Sequence, residues 1–225
     1  MRRRILLGCA VLPAVLLGCD ASTAEDFEPR GLLVQTASGA VEGYEDDGVH
    51  SYRGIPYAAP PEGALRWKPP TAVAPWSDTL SATEAPSPCP QELFGGLAAP
   101  GFMPSEDCLY LNVDTPAEGR RLPVMVWIHG GAFTLGEGLQ TDGGTSGDRI
   151  ARETRTIVVS MNYRLGQLGF LAHPALTAES ADGASGNYGL MDQVAALDWV
   201  RENIEAFGGD PDNVTIFGES AGAFS

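Results

Sequence analysis

The sequence contains Val214-Thr215-Ile216-Phe217-Gly218-Glu219-Ser220-Ala221-Gly222, a short apolar run that leads straight into a G-x-S-x-G motif. The apolar run predicts a buried β-strand, and the small residues after the serine predict the start of a helix. Such a motif forms a sharp strand-to-helix turn that strains the serine backbone and lifts its hydroxyl above the sheet. Glycines at both flanks are needed because side chains there would collide with neighbouring strands. Ser220 is therefore a candidate nucleophile, the alternative being a glycine-rich turn with an incidental serine.

Further strands are predicted before this turn, at residues 109–113, 124–128 and 156–161. The last two and residues 214–217 are continuous apolar runs, which are typical of a largely parallel sheet covered by helices. A helix is predicted over about 189–207, ended by Gly208-Gly209. Its apolar residues recur at spacings of three and four: Leu190, Val194, Leu197, Val200, Ile204 and Phe207. Strand, helix and strand with a right-handed crossover give an α/β fold.

Periodicity is weaker in residues 32–104. Residues 32–44 predict two short strands around the turn 36–39. Residues 56–104 are rich in proline, which is excluded from sheet centres, so we expect irregular cover over one face of the sheet.

A second motif, His129-Gly130-Gly131-Ala132-Phe133, directly follows the strand predicted at 124–128. An acyl-transfer enzyme stabilises the oxyanion of its tetrahedral intermediate with backbone N–H groups, and glycines let the chain approach closely enough to present them. The alternative is a simple glycine turn between a strand and a loop.

The N-terminus predicts export. Three arginines at residues 2–4 precede an apolar stretch at 5–18, which is too short to span a bilayer comfortably. The stretch ends at Cys19 and resembles a lipoprotein signal, so we expect a signal peptide at 1–19, acylation of Cys19, a linker at 20–31 and a membrane-anchored protein. The alternative is cleavage after Ala24 and a secreted or periplasmic protein.

Two cysteines, Cys89 and Cys108, remain after the signal. An even number of cysteines in an oxidising compartment favours a disulfide between them over two free thiols.

Several longer stretches together resemble the type-B carboxylesterase family, which includes cholinesterases and bacterial para-nitrobenzyl esterases. They occur in family order and cover nearly all of residues 32–225. The resemblance implies an α/β-hydrolase fold and hydrolysis of small-molecule carboxylic esters by a serine nucleophile through an acyl-enzyme, without a cofactor or a metal. The stretches are Tyr52-Arg53-Gly54-Ile55-Pro56-Tyr57-Ala58, Leu65-Arg66-Trp67, Glu106-Asp107-Cys108-Leu109-Tyr110-Leu111-Asn112-Val113, Asn162-Tyr163-Arg164-Leu165-Gly166, Gly186-Asn187-Tyr188-Gly189-Leu190-Met191-Asp192-Gln193 and Phe207-Gly208-Gly209-Asp210-Pro211.

The resemblance also implies roles for single residues. Ser220 matches the nucleophile, and the amides of Gly131, Ala132 and Ala221 match the oxyanion hole. Alanine at 132 departs from the commoner glycine but keeps the backbone donor. Cys89 and Cys108 match the family's first disulfide. Arg164 and Asp192 resemble a family salt bridge, the alternative being two solvated surface charges.

The catalytic base is not expected among these 225 residues. In this fold the chain order is Ser, then Asp or Glu, then His, whereas His50, His129 and His173 all precede Ser220. His129 is interpreted as structural, the alternative being a general base, and the other two are predicted to be exposed in loops. Residues 32–225 are therefore expected to be a truncated esterase domain that is inactive by itself.

Composition excludes other classes. The formal charge is −15, so an acidic surface would repel nucleic acid. The sequence has no phosphate-binding glycine loop and no histidine or cysteine cluster with metal-ligand spacing. The remaining alternative function is a non-catalytic, esterase-like binding or adhesion protein.

Overall fold

The computed structural model describes residues 31–91, 103–139 and 147–225. The signal peptide predicted at 1–19, the acylated Cys19, the alternative cleavage after Ala24 and all but the last residue of the linker lie outside these ranges and stay predictions. Among the described residues, no helix has the length and apolar character needed to cross a bilayer.

The described residues form nine strands, five α-helices and two short 3₁₀ turns, the latter at Gly63–Leu65 and Ile204–Phe207. The strands are β1 Leu33–Gln35, β2 Ala40–Glu42, β3 Tyr44–Asp46, β4 Val49–Pro56, β5 Leu80–Ser81, β6 Tyr110–Pro116, β7 Leu122–Ile128, β8 Ile157–Met161 and β9 Gly209–Gly218. The helices are α1 Gly147–Thr154, α2 Gly166–Phe170, α3 Pro174–Glu179, α4 Tyr188–Asn203 and α5 Ala221–Phe224.

The main sheet has six strands in the order β3-β4-β6-β8-β7-β9. β7 pairs in parallel with β8 and β9, placing Val126 opposite Val159 on one side and Ile216 on the other. The other three pairings, β3 with β4, β4 with β6 and β6 with β8, are antiparallel. The predicted α/β class is confirmed, but the sheet is mixed and not largely parallel. The continuous apolar runs of β7 and β8 are largely buried, but such runs do not encode strand direction. The prediction of a buried strand at 214–217 is wrong, because β9 lies at the edge of the sheet and Thr215 and Ile216 are exposed.

The N-terminal region forms a smaller sheet, in the order β1-β2-β5. The predicted hairpin of residues 32–44 is confirmed, since the Thr36 N–H donates to the Gly39 carbonyl at 3.0 Å across the turn. Residues 57–91 are irregular apart from Gly63–Leu65 and β5, as the prolines predict.

Helix α4 begins one residue before the predicted start. It continues into the 3₁₀ turn Ile204–Phe207, which ends at Gly208 with a φ of 86°. The predicted apolar stripe is only half right. Val200, Ile204 and Phe207 are buried, whereas Val194 is 57% exposed. The buried face of the first two turns carries small and polar residues instead, Gly189, Asp192, Gln193 and Ala196. Close helix packing and a buried ion pair therefore bury small and polar residues that an apolar count passes over.

Two predictions about histidine placement have different outcomes. His173 is exposed and precedes α3, where its Nδ1 accepts a hydrogen bond from the Ala175 N–H. His50 is not in a loop but within β4, opposite Thr115, and only 2% exposed. The tyrosine and valine neighbours of His50 build the strand, and the histidine is buried with them.

Cys89 and Cys108 form the predicted disulfide, with the two Cα atoms 5.1 Å apart. Both cysteines are buried in the main core. The bond joins the irregular segment before residue 92 to the chain just ahead of β6.

Candidate active site

The serine motif lies where two parallel strands end at the same edge of the sheet. β9 follows β7 in register, with Gly218 opposite Ile128, so the turns after both strands meet. Ser220 comes between β9 and α5 with a φ of 50° and a ψ of −119°. A non-glycine residue in this region is strained, and such strain persists where the surrounding structure fixes it. The predicted strand, sharp turn and helix are therefore present, and the serine is exposed.

Packing explains the two glycines of the motif. A Cβ atom on Gly222 would lie 2.0 Å from the Ile128 carbonyl oxygen, and one on Gly218 would lie 2.8 Å from the same atom. Both distances are far below contact distance, and the obstacle is backbone, which cannot rotate away. The turn can pass this close to β7 only because both residues are glycine.

The glycine turn after β7 lies directly against Ser220. A Cβ atom on Gly130 would be 3.1 Å from the Ser220 Cβ and 2.9 Å from the Glu219 carbonyl oxygen. The turn is closed by two hydrogen bonds to the Gly131 carbonyl, donated by the Thr134 N–H at 2.9 Å and the Leu135 N–H at 3.1 Å. The structure thus brings together the two motifs that are 90 residues apart in the sequence.

The backbone of this turn is left-handed over three successive residues. The φ angles of Gly131, Ala132 and Phe133 are 98°, 54° and 61°. Among the described residues, the amides of Gly131, Ala132 and Ala221 have no hydrogen-bond acceptor. Ala221 is also the first residue of α5, where an N–H group has no intrahelical partner. Three backbone donors near Ser220 are therefore available for a group with negative charge.

His129 is buried beneath the glycine turn. Its Nδ1 lies 2.8 Å from the Gly130 carbonyl oxygen, which can only accept, so the proton is on Nδ1. The ring stacks on Tyr163 with centroids 4.3 Å apart, and the Tyr163 hydroxyl donates to the His129 carbonyl at 2.8 Å. Burial lowers the pKa of His129 to about 4, although the hydrogen bond to Gly130 opposes this shift. A buried imidazole held in this way favours the structural interpretation over a general base.

Arg164 and Asp192 form a buried ion pair. The Arg164 Nε and Nη2 atoms donate to the two carboxylate oxygens at 2.8 and 2.7 Å, and the Arg164 backbone N–H donates at 3.0 Å. The two side chains are 3% and 0% exposed. The alternative of two solvated surface charges is wrong. The pair joins the end of β8 to the first turns of α4.

Two contacts of the glycine turn were not predicted. Gln91 hydrogen-bonds both backbone groups of Gly136, and the Asn162 Oδ1 accepts from the Gly138 N–H at 2.8 Å. Their partners are backbone atoms distant in sequence. No periodicity or motif marks Gln91, and the stretch that begins at Asn162 marks that residue without showing its partner. Within residues 31–91, 103–139 and 147–225, no group of three His, Cys, Asp or Glu residues could hold a metal ion.

Comparisons with known proteins agree with this geometry. The model of the carboxylesterase family matches residues 30–225. The chain is 46% identical over 222 residues to the fumonisin B1 esterase of Sphingopyxis macrogoltabida, covering 97% of this chain and 38% of that protein. It is 50% identical over 198 residues to the para-nitrobenzyl esterase of Bacillus subtilis, covering 86% of this chain and 39% of that protein.

The same likeness holds in three dimensions. A solved para-nitrobenzyl esterase structure superposes with a TM-score of 0.76 at 49% identity, covering 86% of this chain and 39% of the other. The chain thus spans about two fifths of the length of the relatives it matches.

Proposed function

The chain belongs to the carboxylesterase family and has the α/β-hydrolase fold, and from this we propose that it supplies the nucleophile and oxyanion hole of a carboxylic ester hydrolase. The observation that carries the proposal is the contact between the two turns. Strained Ser220 lies against a glycine turn in which the Gly131 and Ala132 amides are unpaired among the described residues. A nucleophile and its oxyanion donors have to lie within about 3 Å of one reacting carbonyl.

In the proposed reaction the Ser220 Oγ attacks the ester carbonyl carbon. The carbonyl oxygen becomes an oxyanion and is bound by the amides of Gly131, Ala132 and Ala221. The tetrahedral intermediate expels the alcohol, leaving an acyl group on Ser220, and water then hydrolyses this acyl-enzyme. These donors need no reorganisation, because the strained backbone already holds them in place.

The serine also needs a base, and the three histidines of this chain are not positioned to act as one. His50 lies in β4, four strand positions from β9, which corresponds to about 19 Å. His129 is buried with Nδ1 committed to Gly130, and His173 is bonded through Nδ1 at the start of α3. We propose that the 225 residues alone have little or no turnover, because losing triad members costs several orders of magnitude in rate.

The proposed substrates are small-molecule carboxylic esters. The relatives that support this class are named esterases, one for fumonisin B1 and one for para-nitrobenzyl groups. The main alternative is a non-catalytic binding or adhesion protein that keeps the fold.

A hybrid enzyme tests the proposal. Residues 31–225 would replace the matching segment of the Bacillus subtilis para-nitrobenzyl esterase, to which this chain is 50% identical, so that the relative supplies the remaining catalytic groups. We expect the hybrid to hydrolyse para-nitrophenyl butyrate. Ser220→Ala should lower kcat by a factor on the order of 10⁶, as the loss of a nucleophile does elsewhere.

The matched control is Ser81→Ala, which removes an exposed hydroxyl in β5 and should leave kcat unchanged. A folded hybrid without turnover, or turnover that survives Ser220→Ala, would contradict the proposed function. The first of these outcomes would favour the binding protein. The 225-residue chain assayed beside the hybrid should be at least several thousandfold less active.

A further inference from the structure

The segment of residues 87–91 is held firmly against the site. Cys89 is bonded to Cys108 and is 1% exposed. The Ser87 carbonyl accepts from Asn162 Nδ2 at 3.1 Å, and the Pro88 carbonyl accepts from the Ser105 N–H at 3.0 Å. Residues 87–91 are therefore a fixed support, although they have no regular secondary structure.

Gln91 extends from this support to the glycine turn. Its Nε2 donates to the Gly136 carbonyl at 2.9 Å, and its Oε1 accepts from the Gly136 N–H at 2.8 Å. The side-chain amide thus pairs with both backbone groups of one residue, as a neighbouring strand would. The same Nε2 lies 3.1 Å from the Cys89 carbonyl, which orients the amide relative to the disulfide.

Gly136 in turn packs on His129. Gly136 has a φ of 117°, and a Cβ atom on it would lie 2.3 Å from the His129 Nδ1. His129 Nδ1–H donates to the Gly130 carbonyl at 2.8 Å. In a planar trans peptide the N–H points opposite to the C=O. A hydrogen bond that fixes the Gly130 carbonyl therefore also fixes the direction of the Gly131 N–H.

We propose that Gln91 is a positioning residue for the oxyanion hole. It holds Gly136 against His129, and His129 orients the peptide between Gly130 and Gly131, so that the Gly131 amide is aimed at the oxyanion before substrate binds. Gln91 touches no reacting atom. This inference rests on the proposed function, because it takes the Gly131 amide to be an oxyanion donor.

The first test is hydrogen exchange on the 225-residue chain, which does not require catalysis. Gln91→Met removes both hydrogen bonds and nearly keeps the side-chain volume. We expect the amides of Thr134 and Leu135, which close the turn on the Gly131 carbonyl, to exchange about tenfold faster when the two bonds are lost. Unchanged exchange at both amides would overturn the proposal.

Two further variants keep this test informative. Gln35→Met removes a side-chain amide whose hydrogen bond among the described residues is to the adjacent Thr36 carbonyl, and it should leave exchange at residues 134 and 135 unaltered. If Gln91→Met does not fold, Gln91→Glu replaces it, because a carboxylate still accepts from the Gly136 N–H but cannot donate to its carbonyl. Gln91→Glu should show accelerated exchange at the same two amides, and exchange like that of the parent would overturn the proposal.

The second test is kinetic and uses the hybrid enzyme with para-nitrophenyl butyrate. Deleting one oxyanion donor costs about 10²–10³ in kcat, and a donor that is only misdirected should cost roughly tenfold. We expect Gln91→Met to lower kcat by about tenfold with KM unchanged, since the donor acts in the transition state. If Gln91→Met leaves kcat unchanged in a hybrid that Ser220→Ala inactivates, the positioning role of Gln91 is refuted and the proposed function is not. Turnover that survives Ser220→Ala would instead refute the proposed function.

Discussion

At the scale of single residues, the candidate site contains non-glycine residues in backbone conformations that are unfavourable for them. Ser220 and Ala132 have φ angles of 50° and 54°, and a non-glycine residue there costs about 1 kcal/mol or more. Contacts nearby impose both conformations. Gly218 and Gly222 allow the serine turn to pack closely on β7. Hydrogen bonds to the Gly131 carbonyl close the glycine turn. These strained conformations fix the direction of the Ser220 hydroxyl and of the backbone amides in the glycine turn.

His129 should make folding stability depend on pH. Its pKa falls from 6.5 to about 4 on folding because the ring is buried. The unfolded chain therefore binds the proton more readily, and stability is lost as the pH falls from about 6.5 towards 4. Between pH 7 and pH 4.5 this single group should remove about 2 kcal/mol of unfolding free energy. Urea unfolding of the parent chain and of His129→Phe at the two pH values measures the effect.

The variant should show a smaller loss of stability between the two pH values, whatever its stability at pH 7. His173→Gln is the matched control, because that histidine is exposed, and its pH dependence should follow the parent. Equal pH dependence in the parent and in His129→Phe would contradict the lowered pKa.

The sequence predicted those residues of the candidate site whose proposed role depends on local backbone. Gly218, Gly222 and Ser220 form a motif because one turn needs all three, and the disulfide follows from the cysteine count. Gln91 was missed because its partner is the backbone of Gly136, 45 positions away. A side chain that bonds to backbone can have a partner of any residue type. The sequence therefore contains no matching residue that would indicate the contact. The burial of His50 was missed for a related reason, since a lone polar residue gives no sign that its strand is internal.

At the scale of elements, the ion pair between the end of β8 and α4 should make the loss of either partner alone costly, because the other charge would stay buried without a partner. Arg164→Met would leave the Asp192 carboxylate buried without its partner, which typically costs 3–5 kcal/mol. We expect a loss on the order of 3–5 kcal/mol in the unfolding free energy from urea titration. The exposed pair Lys68 and Glu179 is the control, and Lys68→Met should cost at most about 1 kcal/mol.

The double variant Arg164→Met/Asp192→Leu separates the buried charge from lost packing. Removing both charges should give a protein that is more stable than Arg164→Met alone. If the double variant were the less stable of the two, the cost would lie in packing and not in the unpaired carboxylate.

The positions of the strands and of α4 in the sequence were predicted better than the strand directions and the buried faces. Every apolar run singled out in the sequence lies in a strand, because a buried strand requires such a run. The run in β9 is the exception in burial, since this strand lies at the edge of the sheet and Ile216 is exposed. The apolar runs did not show the direction of the strands, and the apolar periodicity did not show which face of α4 is buried. Antiparallel pairing of β6 with β8 depends on how the chain returns to the sheet. On α4, Asp192 is buried by its ion pair while Val194 is exposed, so hydrophobicity and burial differ there.

At the scale of the whole molecule, β9 is the edge strand of the main sheet and pairs on one side only among the described residues. Ile216 in this strand is 53% exposed. An exposed apolar strand edge is a template for pairing with another chain. We expect the 225-residue chain to aggregate through this edge, and Ile216→Lys to reduce light scattering during incubation at fixed concentration.

Val194→Lys is the control, because Val194 is as exposed as Ile216 but lies on a helix. Strand pairing predicts that only the change in β9 suppresses aggregation. An equal effect of both variants would show that general apolar exposure, and not the strand edge, drives association.

The disulfide between Cys89 and Cys108, 19 positions apart, also changes the covalent topology of the protein. It turns the intervening backbone into a closed ring from which the two ends of the chain emerge. A protease that cuts once anywhere inside the ring opens it without separating the halves. The nicked protein would keep the mobility of a single chain in a denaturing gel until a thiol is added, and would then divide into two pieces.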